Sequence, residues 1–271
     1  MTTPAPDMDR VLEVALSAAR RAGTIIMDKF RRLDRVEKKG KVDLVTEADL
    51  ASEQEIVASI QRAFPEHGII AEERDYNQGS SDTPCWIIDP LDGTTNYVHG
   101  LPIFAVSIGY QVGGETVVGV VLNPALGEEF LATKGRGASL NDHPIQVSQV
   151  DLLQNSLLVT GFPYTHDDVF YRSFDLFREL YDRCQGVRRM GAAALDFCYV
   201  AAGRFDAFYE AHLNPWDICA GDLICREAGG RTSDWLGDPM PFSGCRILAS
   251  NGRIHAEVLA VMARPALADL R

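Results

Sequence analysis

Apolar residues recur every three or four positions between residues 9 and 30: Val11, Val14, Ala15, Ala18, Ala22, Ile25, Ile26 and Phe30. That period lays one apolar stripe along a helix. A second helix is expected from about Ala48 to Phe64, with Ile56, Val57, Ile60 and Phe64 as its stripe and Pro65 after its end. Between them, the basic stretch from Arg31 to Lys41 leads through Gly40 into residues 42–46 and reads as a loop or hairpin. A short apolar strand, residues 68–71, runs into Glu72 and Glu73, and the polar residues 74–84 read as a loop.

The pattern then becomes strand-rich. Residues 85–89 form a short apolar run, and residues 105–112 and 116–122 flank Gly113-Gly114-Glu115, a hairpin signal. Further strands are expected at 128–133 and 156–160, and near 205–210, 230–234 and 246–250. Helices are expected at 167–184, 192–202, 217–228 and 253–263. This mixture implies layered α/β or α+β packing. With 271 residues, no internal repeat and no long linker rich in Pro, Gly and Ser, residues 1–271 read as one domain. It has an N-terminal half of about 1–150 and a C-terminal half of about 151–271.

Charge narrows the partners. The formal net charge of -12 repels nucleic acid and anionic membrane as a whole. Residues 1–10 carry no apolar run, and no segment is apolar enough to span a bilayer, which points to the cytoplasm. The six cysteines form no CxxC pair and no zinc spacing with histidine. Cys198, Cys219 and Cys225 fall inside apolar helical patterns, so buried thiols are expected.

The candidate chemistry sits where strands end. Glu72 follows the strand at 68–71, Asp89 ends the run at 85–89, and Asp92 lies beyond Pro90, which cannot continue a ladder. Asp217 follows Asn214-Pro215-Trp216 at a helix start. One acid in such a place is ordinarily a cap or a turn residue. Asp89 and Asp92, however, flank a rigid Pro90-Leu91 turn, so both can face one cleft. Burial beside Trp86, Ile87 and Ile88 makes two unpaired carboxylates costly. A hard divalent cation relieves that cost, and oxygen-only ligation suits Mg2+. Gly93-Thr94-Thr95-Asn96 can open a short helix whose free amides bind phosphate. Metal and phosphate side by side are what metal-assisted phosphoryl transfer to water requires. A merely capped turn is the plain alternative for the same residues.

The motif Trp86-Ile87-Ile88-Asp89-Pro90-Leu91-Asp92-Gly93-Thr94-Thr95-Asn96-Tyr97 resembles the first signature of the inositol monophosphatase family. Asn214-Pro215-Trp216-Asp217-Ile218-Cys219-Ala220-Gly221 resembles the second. Three further segments match in order: Val42 to Asp49, Ala71-Glu72-Glu73, and Arg189 to Ala194. The resemblance implies a sugar-phosphatase-like sandwich of alternating α-β-α-β-α layers, and a Mg2+-dependent enzyme that hydrolyses myo-inositol monophosphate to inositol and phosphate. It implies two or three Mg2+ per site, held by Glu72, Asp89, Asp92, Asp217 and the Leu91 carbonyl. Thr94 resembles the residue that orients the attacking water, with Asp49 accepting from its hydroxyl and Glu72 completing the catalytic group. The Gly93 and Thr94 amides, with Asp92, would hold the phosphate. Glu210, seven residues before Asp217, matches a carboxylate that binds substrate hydroxyls, and Gly191, Ala192 and Ala193 would line the same alcohol pocket. Glu73 and Asp43 would support the site. A homodimer and inhibition by lithium are implied in the same way.

Weaker features have plainer readings. Lys38, Lys39 and Lys41 can offer a cation to phosphate, but a solvated basic turn explains at least two of them. Arg188 and Arg189 read as surface or interface charges before substrate contacts. Thr160-Gly161-Phe162-Pro163-Tyr164 falls where the family places a substrate-side loop, and a strand exit explains it equally well. His99 and His212 fall near the site without an evident task. Thr95-Asn96 and Glu210 favour inositol phosphate over histidinol phosphate, fructose 1,6-bisphosphate or 3′-phosphoadenosine 5′-phosphate. A regulatory protein that reuses the fold without turnover is the alternative of a different class.

Overall fold

The computed structural model describes residues 7–32, 36–38, 44–79, 83–240 and 245–264, without the side chains of residues 36, 38 and 245. Asp43, Lys39, Lys41 and the side chains of Lys38 and Cys245 therefore lie outside the described residues. The first amphipathic stretch is helix α1 (Met8–Lys29), capped by the Asp7 side chain, which accepts from the Asp9 amide at 3.0 Å. Its stripe is buried at Val11, Val14, Ala15, Ala18, Ala22 and Ile26. Strands β1 (Val36–Lys38) and β2 (Leu44–Thr46) pair antiparallel, as the hairpin reading expects. Helix α2 (Glu47–Ala63) follows at once, because Thr46 and Asp49 form a capping box.

The central sheet comprises β3 (Gly68–Ala71), β4 (Cys85–Asp92), β5 (Ala105–Val112), β6 (Glu115–Asn123), β7 (Glu128–Thr133), β8 (Ala138–Leu140) and β9 (His143–Pro144), hydrogen-bonded in that order. Helix α3 (Thr94–Val98) interrupts it after β4. The second half contributes β10 (Leu157–Thr160), α4 (Asp168–Tyr181), β11 (Gly186–Arg188), α5 (Ala193–Ala201), β12 (Ala207–Leu213), α6 (Pro215–Glu227), β13 (Arg231–Asp234), β14 (Cys245–Ser250) and α7 (His255–Met262). Its strands form a mixed sheet ordered β11-β10-β12-β14-β13.

Three apolar clusters define the layering. One packs α1 and α2 onto the first sheet, a second encloses α5 and α6 between the sheets, and a third places α4 and α7 outside the second sheet. The result is the expected α-β-α-β-α sandwich, with the site at the seam between β4 and α6. Paired glycines bring those two elements together. Gly109 and Gly119 face each other in register on β5 and β6. A Cβ at Gly109 would lie 2.3 Å from Cys219 Sγ, and one at Gly119 would lie 2.9 Å from the Ala220 carbonyl oxygen. The bare sheet surface thus admits the backbone of α6 and sets Asp217 over β4.

The strand expected at 85–89 runs on to Asp92, a correction with a local cause. The β4–β5 register shifts between Asp89 and Asp92. Pro90 sits in that bulge, where no ladder N–H is required of it. The helix expected from 217 begins earlier, at Pro215, with Asn214 as its cap and proline at its first position. Strands β8, β9 and β11 were not expected from the pattern, being two or three residues long. Cys198, Cys219 and Cys225 are buried free thiols, as anticipated.

Candidate active site

The site is assembled by several elements that each end at one cleft. Glu72 directly follows β3, and its N–H donates to the Ile88 carbonyl of β4 at 3.2 Å. The bulge in β4 lies between Asp89 and Asp92, and the Leu91 N–H donates to Asp89 Oδ1 at 3.0 Å. Ser52 of α2 fastens the bulge from behind through a 2.8 Å bond from Oγ to the Pro90 carbonyl. Asp92 reaches the start of α5 and accepts from the Ala193 and Ala194 amides at 3.1 and 2.8 Å. Ala193 therefore meets the site through its backbone. Asp217 occupies the third position of α6 and accepts from the Asn214 amide at 2.6 Å.

Thr94 opens α3 after Gly93, which adopts the left-handed conformation at φ 88°. Its hydroxyl lies 3.0 Å from both Asp49 Oδ1 and the Leu91 carbonyl. Asp49 is fully buried at the start of α2. Its Oδ2 accepts from the Thr46 amide at 2.8 Å and from the Thr46 hydroxyl at 2.5 Å. Burial pushes the Asp49 carboxyl up to about 6, with the hydrogen bonds from Thr46 and Thr94 acting against it.

The electrostatics join acids that the topology separates. Burial raises Asp89 well above the ordinary carboxylate range, and Glu72, Asp92 and Asp217 raise it further. Asp217 is raised by burial and then by Asp92, Glu72 and Glu210, against its bond from Asn214. Asp92 is pushed up to about 7, burial outweighing the amide bonds from α5. Glu210 on β12 is pushed up to about 8 by burial, with Arg189 opposing and Asp92 adding. Among the described residues no three His, Cys, Asp or Glu side chains already form a metal-holding group.

The cleft itself is lined by Glu72, Asp92, Gly161 to Tyr164, Arg189, Gly191 to Ala193, Glu210 to Asn214, Trp216 and Asp217. Asp89, Thr94 and Asp49 are not part of that wall. Arg189 and His212 do line it, whereas Arg188 sits on the edge strand β11. Glu73 turns its backbone N–H to Glu53 Oε2 at 2.8 Å, which braces the segment carrying Glu72.

Sequence reasoning missed several structural roles. Asn96 donates to the carbonyls of Ile103 and Met190 at 2.8 Å and of Gly191 at 3.3 Å, tying α3 to the segment before α5. Nothing local signals that bond across the chain. Thr46 and Asp49 match the Thr-x-x-acid pattern of a capping box, a readable signal. Asp196, inside the apolar run of α5, is buried with its Oδ1 lacking a hydrogen-bond partner among the described residues. Burial raises its pKa well above the ordinary range, and Glu210 and Asp92 raise it further.

Comparison with known proteins agrees with this architecture. The profile of the Inositol monophosphatase family matches residues 7–266. A Pseudomonas aeruginosa protein named Nus factor SuhB is 44% identical over 261 residues, covering 94% of this chain and 96% of that one. An inositol-1-monophosphatase of Synechocystis is 45% identical, covering 95% of this chain and 90% of its own. The solved inositol monophosphatase of Anabaena superposes with a TM-score of 0.85 at 40% identity, covering 97% of this chain and 100% of that one. Among the described residues no helix is long and apolar enough to cross a membrane. The signatures, the layered fold and the near full-length matches agree: this chain belongs to the inositol monophosphatase family.

Proposed function

We propose that the protein is a Mg2+-dependent phosphomonoesterase of small phosphorylated alcohols, with myo-inositol monophosphate as its preferred substrate. The observation that carries this reading is the convergence of Glu72, Asp92 and Asp217 from three elements on one cleft wall, with Asp89 at the other end of the β4 bulge from Asp92. Carboxylate and carbonyl oxygens are the donors a hard cation takes, and such a cation relieves the mutual repulsion. Glu72, Asp89, Asp92, Asp217 and the Leu91 carbonyl would hold two or three Mg2+. Bound there, the ions supply charge neutralisation for the phosphoryl oxygens and acidify the attacking water.

The chain's own groups do the positioning. The Thr94 hydroxyl has one proton and two acceptors at 3.0 Å, Asp49 Oδ1 and the Leu91 carbonyl. Donation to Asp49 leaves the Leu91 carbonyl for a cation and the Thr94 lone pairs for a water. Thr94 is far too weak a base to act alone, so Asp49 fixes its orientation. The Gly93 and Thr94 amides hold the phosphate. Gly191, Ala192 and Ala193 leave room for a polyol, and Glu210 exchanges hydrogen bonds with its hydroxyls. Positioning and electrostatics of this kind dominate phosphoryl transfer.

The test is phosphate release from inositol 1-phosphate with and without Mg2+, beside histidinol phosphate, fructose 1,6-bisphosphate and 3′-phosphoadenosine 5′-phosphate. Turnover that depends on Mg2+ and is highest on inositol 1-phosphate is expected. Turnover that survives chelation sinks the mechanism, and preference for another ester sinks the substrate. The relative named Nus factor SuhB, at 44% identity, favours a second reading in which the chain has a regulatory role. If an Asp92→Asn variant without turnover restores every defect of a deletion strain, that second reading prevails.

A further inference from the structure

Glu210 stands on β12 beside the exit of β10. The parallel register pairs Val159 with Phe208 and Thr160 with Tyr209, so the next step sets Gly161 beside Glu210. Thr160 Oγ1 donates to the Tyr209 carbonyl at 2.7 Å and holds the two strands at that step. On the other flank β14 places the fully buried Ile247 opposite Glu210. Side chains at directly paired positions ordinarily rise side by side, roughly 5 Å apart. Here the Glu210 side chain leans over its neighbour instead. A Cβ at position 161 would lie 2.1 Å from Oε1, 2.2 Å from Oε2 and 2.2 Å from Cδ of Glu210. Gly161 is not among the glycines with positive φ, so the backbone there accepts any L-residue. The carboxylate, rather than the backbone, excludes a side chain.

We propose that Gly161 is a specificity-determining positioning residue: its bare Cα is the seat that holds the Glu210 carboxylate at the alcohol end of the cleft. It thereby sets a preference for phosphates of polyols over phosphate esters without vicinal hydroxyls. The inference rests on the phosphatase reading of this cleft and assigns a determinant within it. Any side chain at 161 displaces the carboxylate, and the hydroxyls of the alcohol then lose their partner.

The experiment compares kcat/KM on inositol 1-phosphate with kcat/KM on 4-nitrophenyl phosphate, using full-length protein with Mg2+. Four proteins are needed: wild type, Glu210→Ala, Gly161→Ala and the double variant. The ratio is expected to fall about tenfold in Gly161→Ala, mainly through KM, as for loss of one hydrogen bond between Glu210 and a substrate hydroxyl. In the Glu210→Ala background the same change is expected to be silent, because the carboxylate it would displace is gone. A Gly161→Ala variant with the wild-type ratio overturns the seat, provided Glu210→Ala lowers it. Equal losses in both backgrounds overturn it too. Should Gly161→Ala alone fail to fold, folding of the double variant upholds the seat and its misfolding overturns it. If wild type shows no preference, or Glu210→Ala leaves it intact, the reading of the cleft fails and not merely the role of Gly161.

Discussion

Two buried polar groups in this molecule are built on opposite terms. His255, fully buried at the start of α7, lies 2.9 Å from Ser233 Oγ through Nε2 and 2.8 Å from Ser250 Oγ through Nδ1. Ser233 Oγ donates to the Asp234 carbonyl at 2.6 Å, so it accepts from Nε2–H. Ser250 Oγ accepts from the Gly252 amide at 3.1 Å and donates to Nδ1. One neutral tautomer satisfies the whole group. Around the cleft, by contrast, Asp89 is raised further by Glu72, Asp92 and Asp217, and Asp217 by Asp92, Glu72 and Glu210, while Asp196 Oδ1 lacks a hydrogen-bond partner among the described residues. Desolvation penalises both groups; the first offsets it in full, whereas the amide bonds to Asp89, Asp92 and Asp217 leave those carboxyls raised. A buried polar group that the fold leaves unsatisfied is where a ligand has something to contribute.

The sharpest way to break this contrast is Asp89→Asn. The change removes one charge from a set that repels itself, while its amide oxygen can still accept from the Leu91 N–H, which donates to Asp89 Oδ1 at 3.0 Å. Phosphate release is expected to fall about a thousandfold or more, because a ligand of the transition-state charge is lost. Thermal unfolding in EDTA is expected at the wild-type temperature or above it. A variant that unfolds earlier in EDTA would mean that Asp89 serves the fold, and the contrast would collapse.

Thr94→Ala tests the internally satisfied group beside the cleft. Its hydroxyl lies 3.0 Å from Asp49 Oδ1, and loss of that orientation is expected to lower kcat about a hundredfold with little change in KM. Thr94→Ser keeps the hydroxyl and is expected to recover most of the rate. Equal kcat in Thr94→Ala and wild type would remove Thr94 from the reaction and leave Asp49 as a helix cap.

How much of this was legible depends on how local each feature is. The stripes of α1 and α2 and the hairpin of β5 and β6 are periodic over one turn or one pleat, and they emerged as expected. The five ordered motifs led to the layers by resemblance. The path of β4 through Pro90 was not legible, since a proline inside a central strand is tolerated only where a bulge frees its nitrogen. Strands β8, β9 and β11 are too short to alternate. In the site, Glu72, Asp89, Asp92 and Asp217 were readable as acids at element ends. The contact of Gly161 with Glu210 depends on a parallel register across 49 residues, and the Asn96 clamp on Met190 spans 94. No local pattern encodes such pairings; the packed sheets do.

The smallest effect concerns the satisfied cluster and is read through pH. Burial lowers the His255 pKa from 6.5 to about 4. Because the folded value is depressed, the unfolded chain takes up the proton first as pH falls below 6.5, and the folded state loses stability until pH nears 4. Linkage with these two values gives a loss of about 2 kcal/mol between pH 7 and pH 5. The cleft acids act with the opposite sign over the same range. Asp92, raised to about 7 from 3.8, is protonated first in the folded state, so acidification stabilises the fold through it. Wild type alone therefore shows a blunted pH dependence, and the two clusters have to be separated by substitution. His255→Gln removes the titrating ring, and its stability deficit at pH 7 is expected to shrink by about 2 kcal/mol at pH 5 in urea unfolding. A deficit that stays constant over that range would show that protonation of His255 does not oppose the fold. The neutral, fully partnered cluster on which the contrast with the cleft depends would then be wrong.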